Sequence, residues 1–229
     1  MKYTIIHVND RSIKNINKNK KILKGFDCVN DIEFFNGNTG NAWDILNHKG
    51  IRQDVWAPYD GRDFPPLPGE LGIWVSTINV WQYIVDNKID KMLVLEDDVR
   101  LQKNFIKNLN FCLKDLPKDF DIFSLYYFKE HNWPDENTEI GSEYIKKANN
   151  QYSGGQGIIY TYEAAKKLLT LIKRLGIEYT TDCFIFNKVQ QGVINGYSLK
   201  KKNDFLLKHD YQKIKSLIDP ENIRATDEL

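Results

Sequence analysis

The densest set of groups able to do chemistry is Glu96-Asp97-Asp98, directly after the apolar run Met92-Leu93-Val94-Leu95. A strand that delivers carboxylates to its C-terminal end places them where open α/β sheets bind ligands. Side chains alternate along a strand, so Glu96 and Asp98 share one face and Asp97 points away, unless the strand has already ended. Two carboxylates about 6 Å apart repel by about 3 kcal/mol at an effective dielectric of ~20. A divalent cation turns that repulsion into attraction. Oxygen-only ligands suit Mg²⁺ or Mn²⁺, which then bridge to phosphate oxygens. The triplet also reads as an exposed acidic turn that favours the positive end of a following helix. A glycosidase acid pair fits poorly, because its carboxyls must flank the scissile bond and neighbours on one strand face the same side of it.

Other catalytic patterns are missing. The sequence holds no Gly-x-Ser-x-Gly elbow, no His-Glu-x-x-His and no specific Cys-His pairing. Gly154-Gly155-Gln156-Gly157 allows close approach to a substrate. It fails as a phosphate loop, since no Lys follows at the required spacing and the order is loop-to-strand. Cys28, Cys112 and Cys183 are too widely spaced for zinc and odd in number. They read as buried free thiols in a reducing compartment.

The elements that must position the acids alternate between strand and helix. Tyr3 to Val8 reads as a buried first strand, and Arg11 to Lys24 as an amphipathic helix with Ile13, Ile16, Lys20 and Leu23 near helical spacing. Its lysines read as a solvated face, because no aromatics interleave. Asp31 to Phe35 reads as a short strand and Ala57 to Gly69 as an ordered loop. Glu70 to Asn87 reads as a helix burying Leu71, Trp74, Val75, Ile78, Trp81 and Ile84. Lys91 to Leu95 and Asp121 to Tyr127 read as strands around a helix from Phe105 to Leu113. Lys129 to Gln151 is the longest candidate loop, and long loops in compact domains are usually lids, binding loops or disorder. Then come a strand, Ile158 to Thr161, a helix, Tyr162 to Leu175, a second helix after Thr180, and strand character from Tyr197 to Leu207. The pattern predicts a single α/β domain over 1–229, mainly parallel with helices on both faces, and a polar tail that frays from about residue 220.

Composition supports a folded domain of nearly balanced charge, +1 in formal net terms. The chain has 229 residues, 41% hydrophobic, and 32 basic against 31 acidic side chains. That is enough apolar material for a core, and it leaves no global field to hold nucleic acid or an acidic membrane. No segment reaches the ~18 apolar residues that span a bilayer, and the first apolar run meets Asn9-Asp10-Arg11 too soon for a signal peptide. The expected location is cytoplasmic, bacterial or, for a viral source, in the host.

Six stretches in order along most of the chain follow the pattern of one known family. Ile5-Ile6-His7-Val8-Asn9-Asp10-Arg11 resembles the family's opening strand and its Asp-Arg pair. Ala57-Pro58-Tyr59-Asp60-Gly61 resembles its Ala-x-Asp-Gly loop, with one residue more. Pro68-Gly69-Glu70-Leu71-Gly72 with Ser76 is similar to its Gly-Glu-x-Gly-x-x-x-Ser helix, although the usual Ser-His is Ser76-Thr77 here. Leu93 to Val99 and Asp121 to Leu125 resemble the next two strands, and Gly157 to Leu168 the strand and helix beyond them. Together these stretches resemble glycosyltransferase family 25, which contains lipooligosaccharide and collagen galactosyltransferases.

The resemblance implies a single-domain glycosyltransferase A fold and inverting transfer of a sugar from a nucleotide sugar, often UDP-galactose, to a glycan or glycoprotein, as in lipopolysaccharide biosynthesis. Departure of the nucleoside diphosphate builds charge on the β-phosphate, which a bound metal neutralises. Asp98 is the first choice of ligand, with Glu96 on the ribose or a metal-bound water and Asp97 as a further ligand. His209, the only His beyond residue 131, stands where a late His completes the metal shell. Asn9 and Arg11 are placed to grip base and ribose, and Asp60, Gly61 and Glu70 to approach the nucleotide. For Arg11 and Glu70 a simple helix-start charge, and for Asp60-Gly61 an ordinary turn, remain open. Asp182, opening a helix, is the expected base on the acceptor hydroxyl, with a first-turn acid as the alternative. Trp74 and Trp81 read as core. Two other classes compete: a non-catalytic nucleotide- or glycan-binding module of the same fold, and a sugar nucleotidyltransferase, which lacks its Gly-rich basic loop here.

Overall fold

In the computed structural model, residues 1–6, 13–30, 32, 42–51, 68–126, 140–148, 155–178, 180–200 and 205–209 are described. In chain order the elements are β1 (Lys2–Ile6), α1 (Ile13–Ile22), β2 (Asp27–Cys28), α2 (Ala42–His48), α3 (Pro68–Asp86), β3 (Lys91–Glu96), β4 (Val99–Leu101), α4 (Phe105–Asp115), β5 (Ile122–Ser124), β6 (Ile145–Lys147), β7 (Gly157–Thr161), α5 (Tyr162–Leu175), α6 (Thr181–Gln190), β8 (Gly196–Leu199) and β9 (Leu207–His209).

Seven strands form one sheet in the order β2-β1-β3-β7-β5-β8-β6, and β4 pairs with β9 in a separate ribbon. The expected parallel sheet is realised in β2, β1, β3, β5 and β8, which share one direction. The strand β7 runs the other way between β3 and β5, and β6 is antiparallel to β8 at the edge. Between β5 and β7 the chain also forms β6 at the far edge, and β7 then enters opposite the end of β5, with Ser124 facing Ile158, so it runs antiparallel to β5.

The strands are buried on both faces, as near-continuous apolar runs require. Met92, Val94, Ile158 and Tyr160 face one core, covered by α2, α3, α5 and α6. Tyr3, Ile5, Leu93, Leu95 and Ile159 face the other, covered by α1 and α4. The helix α3 buries the six residues its periodicity predicts, Trp74 and Trp81 among them, and also Ser76, Thr77 and Val80. It is enclosed on several sides because α2, α5 and α6 all pack on it. Local signals end α5 cleanly. Thr161 caps it by accepting the Ala164 N–H at 3.1 Å, and Gly176 closes it at φ +82°.

Several expectations need correction. The loop from Lys129 to Gln151 contains an edge strand, β6, and the strand character near the end divides into β8 and β9. Ile13 and Lys20 of α1 are exposed, and Asn15 and Asn19 occupy the buried face with Ile16. The lysines Lys14, Lys18, Lys20 and Lys21 are exposed, as expected. Cys112 and Cys183 are buried free thiols, but Cys28 sits exposed on the edge strand β2. Of the strand expected over Asp31 to Phe35 only Ile32 is described, and it is not in a strand. The tail from residue 220 lies outside the described residues.

Candidate functional site

The alternation of β3 decides where its last residue points. Met92 and Val94 face the core under α3, α5 and α6, so Glu96 emerges on that same side. Its N–H donates to the Gln156 carbonyl at 3.1 Å, which ties the end of β3 to the segment entering β7. A side chain at Gly155 would put a Cβ 2.9 Å from Glu96 Oε1, so the carboxylate occupies space that only glycine leaves open. The strand ends at Glu96, and Asp97-Asp98 forms a turn before β4. The expected strand alternation therefore does not extend to Asp98. Asp97 is the most enclosed of the three at 8% exposure, while Glu96 and Asp98 are half-buried.

Burial pushes the Glu96 carboxyl well above the usual carboxylate range, and the charges of Asp98, Asp182 and Asp97 push it further. Asp182 thus acts on the same carboxyl from a different element, the first turn of α6. Its Oδ1 accepts from the Thr180 hydroxyl at 2.7 Å and from the Cys183 N–H at 2.9 Å, which fixes the side chain at the helix start. Beneath the acids lies Tyr160 of β7. Its phenol is raised mainly by burial, with the charges of Glu96 and Asp182 adding to the shift. The Trp81 ring packs edge-on against it, and Trp74 continues the stack to Phe184. The Cys183 thiol is pushed up to about 12 by burial and by Asp182, with a smaller effect from Glu70. Glu70 itself is buried in the first turn of α3.

The structure therefore gathers Glu96, Asp97, Asp98 and Asp182 at one sheet edge, with Glu70 close enough to act on the same neighbourhood. His209 enters through its backbone: β9 pairs with β4 so that His209 stands opposite Val99, the residue after Asp98. Asn9, Arg11, Asp60 and Gly61 lie outside the described residues. The described part of β1 ends at Ile6, whose register partner is Glu96. Among the described residues no three His, Cys, Asp or Glu side chains form a ready metal cage. The donor set is instead several carboxylates at one edge, which fits a hard cation that also takes phosphate oxygens. Sequence reasoning missed Tyr160, which reads as one more core position of an apolar strand. It also missed the contact between Gly155 and Glu96, for which the glycine run was the only signal.

The profile of glycosyltransferase family 25 (LPS biosynthesis protein) matches residues 12–185. A glycosyltransferase 25 family member of Anopheles gambiae is 35% identical over 159 residues, covering 65% of this chain and 26% of that protein. Procollagen galactosyltransferase 2 of Mus musculus is 31% identical over 109 residues, covering 48% of this chain and 16% of that protein. A probable inactive glycosyltransferase 25 family member 3 of Rattus norvegicus is 33% identical over 90 residues, covering 37% and 15%. The matches thus span at most 26% of the length of these relatives. With the profile running from α1 through the acid turn into α6, this chain belongs to glycosyltransferase family 25.

Proposed function

We propose that this chain is a metal-dependent, inverting glycosyltransferase that moves a sugar from a UDP-sugar, galactose being the first candidate, to a glycan or glycoprotein acceptor. One observation carries the reading: the central strand β3 ends in Glu96, Asp97-Asp98 forms the turn that follows, and Asp182 in the first turn of α6 is near enough to help raise the Glu96 carboxyl. So much negative charge at one edge is costly alone and becomes favourable around a cation shared with a diphosphate. Asp98 and Glu96 would hold Mn²⁺ or Mg²⁺, with Asp97 and His209 as further candidates. The metal, when bound, neutralises charge on the leaving phosphate.

The chain's own groups supply the rest. Asp182 takes the proton of the acceptor hydroxyl as its oxygen attacks the anomeric carbon. The bond from that carbon to the β-phosphate oxygen breaks, and its electron pair leaves with UDP. Thr180 and the Cys183 N–H orient the Asp182 carboxylate for this role. Asn9, Arg11, Asp60, Gly61 and Glu70 are the proposed nucleotide contacts. The free thiols fit a reducing compartment such as the cytoplasm. Among the described residues, no helix is long and apolar enough to cross a membrane.

Titration calorimetry tests the donor site. UDP should bind in Mn²⁺, and Asp98→Ala should abolish the Mn²⁺-dependent part; unchanged affinity in that variant would remove the assignment. A second reading, a non-catalytic module, is favoured by the similarity to a relative named as probably inactive. Slow release of UDP from a UDP-sugar without acceptor would argue for the enzyme.

A further inference from the structure

The face that α1 turns inward carries an asparagine where the spacing of apolar residues leads one to expect none. Asn19 is 1% exposed. Its Nδ2 donates to the Val99 carbonyl at 2.9 Å, and its Oδ1 accepts from the Leu101 N–H at 3.0 Å. Val99 and Leu101 are alternate residues of β4, so one side-chain amide supplies the donor and acceptor that a neighbouring strand would supply. On its other edge β4 is paired with β9, and Gln102 donates to the Leu206 carbonyl at 3.0 Å. Both edges of this three-residue strand are thereby fixed, one of them by a single residue 80 positions away.

The strand β4 begins at Val99, directly after Asp98. We infer that Asn19 is a positioning residue: it fixes the strand that anchors the Asp97-Asp98 turn, and so sets those carboxylates for a metal-bound diphosphate. This rests on the donor-site reading above. The geometry is demanding. Leucine would leave a buried carbonyl and N–H unpaired, aspartate would set an acceptor against the Val99 carbonyl, and glutamine is one methylene too long.

The test compares Asn19→Leu and Asn19→Asp with Ile16→Ala, which loosens the same buried face of α1 without removing a hydrogen bond to β4. Titration of UDP is run with Mn²⁺ and with EDTA, at temperatures where circular dichroism shows each variant folded. The expected result is a loss of about tenfold in the Mn²⁺-dependent affinity of either Asn19 variant, the scale usual for residues that orient metal ligands. Affinity in EDTA should stay at the wild-type value, and Ile16→Ala should keep both. If one Asn19 variant does not fold, the other decides. Wild-type Mn²⁺-dependent affinity in a folded Asn19 variant, or an equal loss in Ile16→Ala, would overturn the inference. If Asp98→Ala also binds like wild type, the donor-site reading fails; if only Asn19 proves silent, the positioning role alone falls.

Discussion

Gly155 and Glu96 are in such close approach that a methyl group on the first would stand 2.9 Å from a carboxylate oxygen of the second. The obstructing atom is the end of a side chain, so the backbone need not yield. Gly155→Ala should therefore leave melting nearly unchanged and turn the Glu96 carboxylate away from its place. We expect several-fold weaker UDP binding in Mn²⁺. In a Glu96→Ala background the same substitution should add nothing, because the two effects share one atom. Additive losses in calorimetry would show that Gly155 acts elsewhere.

Glu96 makes stability depend on pH in a defined direction. Its folded-state pKa is raised well above the ordinary value of 4.5 by burial and by Asp98, Asp182 and Asp97. The folded protein therefore holds a proton that the unfolded chain has lost, and metal-free stability falls as pH rises from that value through the raised one. Urea titrations across this window should show the fall, and Glu96→Gln should flatten it. An unchanged slope in Glu96→Gln would assign the effect to other groups.

Asp182 is held by Thr180 and by the Cys183 N–H independently of any ligand. Asp182→Asn keeps the shape and removes the basicity. Donor binding should persist while sugar transfer drops by about 100-fold or more, the usual contribution of a general base. Full transfer activity would dismiss Asp182 from that role.

The three thiols should separate in alkylation. Cys28 is exposed, whereas Cys112 and Cys183 are buried with pKa values pushed up to about 12, in both cases chiefly by burial. The thiolate is the reactive form, so iodoacetamide at pH 8 should label Cys28 alone in the native protein. Mass spectrometry locating label on Cys183 before unfolding would contradict the enclosure of the acid site.

Asp121 offers a control at the opposite end of the sheet. It is 2% exposed, accepts from Lys167 at 2.7 and 2.9 Å, and accepts the Asn195 N–H at 2.7 Å. Asp121→Ala strands the Asn195 N–H and should cost about 1–3 kcal/mol of stability. UDP affinity of the folded variant should not change. Loss of binding there would mean that the acid edge depends on the whole sheet.

Several features follow from short-range order along the chain. The apolar run to Leu95 made a strand, the acids after it marked where that strand ends, and the face of α3 followed from a period of 3.6 residues. Thr161 and Gly176 bounded α5 by their own local chemistry. Which elements become neighbours depends on the folded arrangement of the whole chain. Periodicity tells a residue which face it occupies, not what stands across from it. That Gly155 makes room for Glu96, that α6 carries Asp182 to the same carboxyl, and that β7 runs backwards depend on contacts across tens of residues. Asn19 shows the limit most clearly: its amide has no apolar signature, and its two partners exist only once α1 lies along β4.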